Sequence, residues 1–233
     1  MNIALIGYGK MGKLVRSLAE RKGNEVNVIV NKSHAELPSE QLSETLRSAH
    51  VAIDFSSAEA VRRNVEACLA ARIPIVEGTT GWNEQREAIE GLVNKNGGTM
   101  VFGANFSIGV NLFYKVAERA AELFAKFPEY EVFIEEQHHS RKKDVPSGTA
   151  LKVKKILERH VQVPSVAATR AGNIPGTHRV GFDGKDDQVL LEHTARSREG
   201  FAAGAIIAAQ WAVGKKGVFE FGEVIDEIIG TVS

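Results

Sequence analysis

The 233-residue chain is poor in cysteine, has no excess charge of either sign, and contains no long apolar run. Cys68 is its one cysteine, so no internal disulfide can form, and this usage fits a reducing compartment. It lies in the helical-looking run Val65-Glu66-Ala67-Cys68-Leu69-Ala70, where it reads as a small buried apolar residue. Twenty-nine Lys and Arg balance 29 Asp and Glu. With no global basic field, a nucleic-acid partner would need a local patch. The longest apolar stretch, 201–213, contains Gly204 and Gln210 and falls short of the ~20 residues a membrane span needs. Met1 leads straight into a strand-like run, without the basic region and cleavage site of a secretory signal. There is no repeat, low-complexity segment or Pro/Ser-rich linker. The expectation is a cytoplasmic protein that binds neither nucleic acid nor membrane.

The 43% apolar and 25% charged content suits a globular protein able to bury a sizeable core. The length allows one large domain or two smaller ones. Residues 3–6, 26–30, 51–55, 73–76 and 99–102 read as short apolar strands. Helical patterns at 10–21, 39–48, 58–71 and 82–94 separate them, with Met11, Leu14, Val15 and Leu18 on one face of the first. Such alternation implies a parallel sheet covered on both faces. After Asn105 the pattern changes. A long helix at 110–124, a strand at 131–136 and a helix at 149–160 precede strand-like runs at 166–169, 178–182 and 188–194. This predicts an open mixed or antiparallel sheet in a second, inserted domain. Helices at 202–213 and 221–229 return to the first. The expected fold is therefore α/β, a Rossmann-type doubly wound sheet with an inserted α+β domain. The expected boundaries are 1–106 with 199–233 for the nucleotide-binding domain and 107–198 for the substrate domain.

Gly7-Tyr8-Gly9-Lys10-Met11-Gly12 follows the first strand and opens the first helix. In a G-x-G-x-x-G turn the first glycine permits the tight turn and the second admits a pyrophosphate to the backbone. The third lets helix and strand pack closely. The carboxylate that often follows the second strand, to hold a ribose hydroxyl, is absent. Asn31 and Lys32 stand there, so a 2′-phosphate meets less repulsion, and NADPH is expected to serve at least as well as NADH. Gly78-Thr79-Thr80-Gly81 and Gly103-Ala104-Asn105-Phe106-Ser107 lie at later strand ends, where open α/β sheets place ligands. They are candidates to line the nicotinamide side, with Ser56 in Asp54-Phe55-Ser56 a weaker one.

The most informative segment runs from Glu135 to Ala150. His138, His139, Arg141, Lys142 and Lys143 put two proton carriers and three cations within six residues. Pro146-Ser147-Gly148-Thr149 then reads as a helix start, whose free N–H groups can hold an anion. If the strand continues through both histidines they face opposite sides, so equal roles are not expected. Nearby cations depress a histidine pKa and attract an acidic substrate. Ser and Thr also cap helices without any ligand, but glycine in the first turn lets a carboxylate approach the backbone. Arg198, where the chain returns to the first domain, is a further cation.

These residues together resemble the 4-hydroxy-tetrahydrodipicolinate (dihydrodipicolinate) reductase family. The likeness runs nearly end to end. It includes Asp54-Phe55-Ser56, Gly78-Thr79-Thr80-Gly81, 104–110, Arg170-Ala171-Gly172 and above all His138-His139-x-x-Lys142-x-Asp144-x-Pro146-Ser147-Gly148-Thr149-Ala150. The resemblance implies reduction by NADPH or NADH, with hydride delivered to C4 of the ring and the 4-hydroxyl lost as water. It implies proton transfer by His138 and Lys142. His139, Ser147, Gly148, Thr149 and Arg198 would hold the dicarboxylate substrate. Gly7–Gly12, Asn31, Lys32, Ser56, Gly78, Thr79, Thr80 and Gly103–Phe106 would hold the cofactor. No metal is implied, and a homotetramer built through the second sheet is. The chain departs from the family at Asn31-Lys32 and in its short segments around 31–50 and 158–168. Another Rossmann dehydrogenase acting on an amino acid would not need the His-His-x-x-Lys block, and a nucleotide sensor would not need Lys142.

Overall fold

The computed structural model describes residues 1–163 and 165–230. It divides into two compact units, Met1–Ile108 with Arg198–Ser233, and Gly109–Ser197. Positions 231–233 of the expected 199–233 segment, and position 164 of the expected 107–198 domain, lie outside the described residues.

The first unit alternates strand and helix: β1 (Asn2–Ile6), α1 (Lys10–Arg21), β2 (Glu25–Val30), α2 (Ser39–Leu46), β3 (Val51–Asp54), α3 (Val61–Ala71), β4 (Ile75–Glu77), α4 (Arg86–Lys95) and β5 (Thr99–Phe102). The second unit holds most of α5 (Ile108–Phe124), then β6 (Glu131–His138), α6 (Gly148–Leu157), β7 (Val166–Arg170), β8 (Thr177–Asp183) and β9 (Gln188–Thr194). The chain then returns through α7 (Glu199–Ala212), β10 (Gly217–Glu220) and α8 (Phe221–Gly230).

The first sheet is parallel, in the order β10-β5-β4-β3-β1-β2. Its strands are apolar on both faces because both are covered. Leu42 and Leu46 of α2, Val65 and Cys68 of α3, and Ile89 and Val93 of α4 pack on one face. Val15 and Ala19 of α1, the alanine-rich face of α7, and Val224 and Ile225 of α8 pack on the other. Cys68 is a fully buried core residue. The order reverses between β1 and β3, so the loop after β1 opens at the point where such sheets bind ligands.

Two local features depart from the expectations of the sequence. β10 is an additional strand: only four residues long and preceded by Lys215-Lys216, it carries little strand pattern yet pairs with β5. The helices expected over 58–71 and 82–94 each begin with a separate 3₁₀ turn, Ala58–Ala60 and Asn83–Gln85.

The second unit is a mixed four-stranded sheet, β7-β6-β8-β9, with β6 parallel to β7 and antiparallel to β8. Val132 and Ile134 of β6 and Val180 and Phe182 of β8 share one core with residues of α5 and α6. Because side chains alternate along a strand, Phe133, Gly181 and Leu190 lie together on the opposite face, with Leu190 exposed.

Candidate active site and nucleotide groove

In the first unit, the turn after β1 is built by its glycines. Gly7 has φ +86°, and a Cβ there would run into the Phe55 carbonyl. A Cβ on Gly12 would strike the Gly7 carbonyl. These two are required by the protein's own packing. Gly9, which precedes α1, is different: a Cβ there would meet nothing within 4 Å. The turn thus leaves the approach to its backbone clear where a pyrophosphate needs it. Gly9, Lys10 and Met11 line a groove of about 370 Å³ with Phe55, Ser56, Ser57, Ala58, Gly78, Thr79 and Thr80. Gly78 is small because the Phe55 ring lies against it. The residues present therefore fit a dinucleotide.

The other expected cofactor residues divide. Tyr8 packs against the core and its hydroxyl accepts from Arg16 at 3.1 Å. Past β2, Asn31 caps a 3₁₀ turn, Lys32–His34, and accepts from the Ser33 N–H at 2.9 Å. Lys32 is exposed. After β5, Gly103 is buried against Phe221. Ala104 is exposed, and Asn105 Oδ1 accepts from the Ser107 N–H at 2.9 Å. The Phe106 side chain is buried between Phe55 and Phe221, so it serves the core.

In the second unit, β6 ends at His138 and does not carry on through His139. His138 is buried and His139 half-buried, so the two differ as expected. Glu136 and His138, two residues apart, share the buried face. The register of β6 with β8 sets Glu136 opposite His178, and that with β7 sets His138 opposite Arg170. Ser147, just before α6, completes the cluster. Its N–H donates to Glu136 Oε1 at 2.9 Å and its hydroxyl donates to Glu136 Oε2. The same oxygen caps α6 by accepting from Ala150 N at 3.2 Å, and lies 3.1 Å from His178 Nε2. Arg170 pairs with Glu136 at 2.6 Å and donates to the Asp144 carbonyl at 2.7 Å, tying down the loop that carries Lys142.

The electrostatics follow from this packing. Burial pushes Glu136 up, but the Ser147 and Arg170 hydrogen bonds outweigh it and hold the carboxylate below its ordinary range. Burial lowers His138, with Arg170 and Lys142 adding to the effect and Glu136 opposing it. Burial and the neighbouring His138 push His178 down to about 4. Both histidines are therefore neutral near pH 7, and His138 can accept a proton. Glu136, His138 and His178 lie close enough to resemble a metal-ligand set. Yet Ser147 and Arg170 already occupy both Glu136 oxygens, and a cation would have to compete with the guanidinium.

Lys142 reaches Asp144 at 2.9 Å, and this contact lowers the Asp144 pKa. The Gly148 N–H also helps to hold the Asp144 carboxylate. A carboxylate thus already sits where Lys142 and the start of α6 converge, which is the environment expected for a substrate anion. Gly148 has open space at its Cα, with nothing within 4 Å of a Cβ. Thr149 is half-buried in the same first turn. Arg198 belongs to the first unit, where it immediately precedes α7 and is exposed.

Residues 1–106 match the family model described as dihydrodipicolinate reductase, N-terminus, and 109–225 match the one described as dihydrodipicolinate reductase, C-terminus. The chain belongs to the dihydrodipicolinate reductase family. A 4-hydroxy-tetrahydrodipicolinate reductase of Christiangramia forsetii is 34% identical over 98% of this chain and 99% of its own length. The enzyme of the same name from Thermosipho africanus is 34% identical over 97% and 99%. A dipicolinate-bound dihydrodipicolinate reductase from Paenisporosarcina sp. TG-14 shares the fold, with a TM-score of 0.73 at 22% identity, covering 94% of this chain and 97% of that one.

Within this dihydrodipicolinate reductase fold, three site residues are not evident from sequence. Glu136 stands inside the conspicuous segment without an assigned role, and its one signal is its position two residues before His138. Arg170 shows only as part of a motif. His178 carries no local signal, since only strand register brings it to Ser147.

Proposed function

We propose that this chain reduces 4-hydroxy-tetrahydrodipicolinate to tetrahydrodipicolinate, with NADPH or NADH, in lysine and diaminopimelate biosynthesis. Family membership supports the reaction, and the observation that carries the site assignment is the convergence of Lys142 and the start of α6 on the Asp144 carboxylate, in the segment that follows His138. The nicotinamide, when bound, supplies a hydride to C4 of the substrate. Gly7 and Gly12 let the turn form, Gly9 leaves its backbone open to the cofactor's phosphates, and Ser56, Gly78, Thr79 and Thr80 line the same groove. His138, neutral at working pH, accepts or gives a proton. Lys142 donates one as the 4-hydroxyl leaves as water. Gly148, Thr149, His139 and Arg198 hold the substrate carboxylates, with the first-turn N–H groups of α6 serving as the anion site and Ser147, bound to Glu136, positioning that turn.

The substrate is a small dicarboxylate. Among the described residues no helix is long and apolar enough to cross a membrane, and the working location is the cytoplasm. The sheet face bearing Phe133 and Leu190 is the surface through which a homotetramer would assemble. Light scattering on the purified protein measures that mass directly.

The decisive assay follows NADPH and NADH oxidation by absorbance, with substrate generated in situ by the preceding synthase from pyruvate and aspartate semialdehyde. Rapid oxidation that depends on the synthase is expected, with NADPH at least as effective as NADH, because Lys32 and the absence of a carboxylate favour a 2′-phosphate. A strong NADH preference refutes the coenzyme reading. No oxidation by protein that binds the nucleotide refutes the reaction.

A further inference from the structure

Two carboxyl groups lie side by side beneath the nucleotide groove, and the reaction uses neither. Asp54 ends β3 and Glu77 ends β4, and they are register partners in adjacent parallel strands. Both are fully buried. Two buried carboxylates in contact repel each other and lose hydration, so the arrangement needs a proton.

The donors around the pair show where the proton resides. Asp54 Oδ1 accepts from the Ser56 N–H at 2.8 Å, and Oδ2 accepts from Asn64 Nδ2 at 2.7 Å. The orientation of the Asn64 amide is fixed independently, because the Arg63 guanidinium donates to its oxygen at 2.9 Å. Its nitrogen therefore faces Asp54. Among the described residues Glu77 takes its donors from Thr79 alone, the N–H at 2.7 Å to Oε1 and the side-chain hydroxyl. Glu77 Oε2 is buried without a donor, while the two side chains lie within hydrogen-bonding reach of each other. Asp54 has the solvation of an ion and Glu77 that of an acid.

We propose that Asp54 and Glu77 share one proton, carried by Glu77 and donated to Asp54, and that the pair is a positioning bracket for the two loops lining the nucleotide groove. Glu77 holds the N–H of Thr79 and Asp54 holds that of Ser56. The Ser56 N–H also reaches Thr79 Oγ1 at 3.1 Å, and Asn64 donates to the Ser56 hydroxyl at 3.1 Å, so the loops are linked to each other as well. Ser56, Gly78, Thr79 and Thr80 are groove residues, so their placement depends on this proton. The inference rests on the groove's being the cofactor site.

Burial drives Glu77 well above the ordinary carboxylate range, with Asp54 adding repulsion, and burial raises Asp54 as well. Cys68 of α3 faces the pair, its thiol pushed up by burial and by both carboxyls. Arg63 is one step away, through Asn64. As pH rises and the shared proton leaves, two adjacent anions remain and the loops lose their anchor.

The test has two readouts on the full-length protein. The first is the protonated-carboxyl C=O stretch in the infrared spectrum near neutral pH. It is expected in wild type and absent in Glu77→Gln, and its absence from wild type overturns the shared proton. The second is the NADPH dissociation constant from about pH 6 to about pH 10. Wild-type affinity is expected to weaken at the alkaline end. Glu77→Gln, whose amide reproduces the donor and acceptor of the protonated acid, retains the neutral-pH affinity and loses the alkaline weakening. Glu77→Ala and Asp54→Asn bind about tenfold more weakly throughout, because each leaves a buried partner unsatisfied. A Glu77→Gln protein as weak as Glu77→Ala, or one that keeps the wild-type pH profile, overturns the proposal. The same profile in Cys68→Ala supports it by removing the thiol as the titrating group. Wild type that shows the infrared band yet binds neither nucleotide refutes the cofactor reading while confirming the proton.

Discussion

Arg170 and Glu136 form a 2.6 Å ion pair in which the carboxylate is fully buried. Ser147 donates twice to the same carboxylate. Glu136→Gln keeps the shape but removes the charge that Arg170 and the Ser147 turn are arranged around. Leaving one member of a buried pair uncompensated costs about 3 kcal/mol. Urea unfolding of the variant is expected to show that loss, and stability equal to wild type would mean that the pair is dispensable.

Lys142 is half-buried and held by Asp144. Lys142→Ala is expected to lower kcat by about 10²–10⁴, the usual worth of a general acid. NADPH affinity should be nearly unchanged. Unaltered kcat removes Lys142 from the chemistry.

Gly148 offers a cleaner probe than most glycines, since an added Cβ would meet no neighbouring atom within 4 Å. Gly148→Val should melt close to wild type. Its substrate KM should rise about tenfold, the scale of crowding a well-fitted site. A normal KM argues against an anion bound at the first turn of α6.

His178 gives the pH dependence of stability its sign. Its folded pKa lies near 4 against an ordinary 6.5, because burial disfavours the imidazolium. Between those values the unfolded chain binds the proton and the folded one does not. The stabilisation is therefore complete above about pH 6.5 and is lost as pH falls toward 4. It amounts to about 3 kcal/mol. Denaturant melts across that window should show the slope, and His178→Gln should flatten it. An unchanged slope assigns the acid sensitivity to other groups.

Much of this architecture is legible in the sequence because it is local. α1, β5 and β9 have the bounds that periodicity gives them. Gly7, Gly9 and Gly12 announce their turn, and His138, Lys142 and Ser147 fall within ten residues of one another. The illegible parts are created by strand register. Arg170 reaches Glu136 across 34 positions, and His178 reaches Ser147 across 31. No spacing rule links them. The Asp54–Glu77 pair is hidden for a related reason. Each carboxyl ends an ordinary apolar strand, and only the parallel pairing of β3 with β4 makes them neighbours.

Gly204 lets α7 lie directly on the Phe106 carbonyl, and a Cβ on Gly200 would come within 3.6 Å of the Ser107 hydroxyl. The chain therefore leaves the first unit and re-enters it at a single seam. A guest domain anchored in this way adds almost no loop-closure entropy to its host, because the ends it spans are already held together. Evolution can lengthen, trim or exchange what lies between residues 109 and 197 without redesigning the sheet that holds the nucleotide groove. A shortened chain could likewise bridge the seam with a short linker, and its unfolding curve would tell whether the host folds alone.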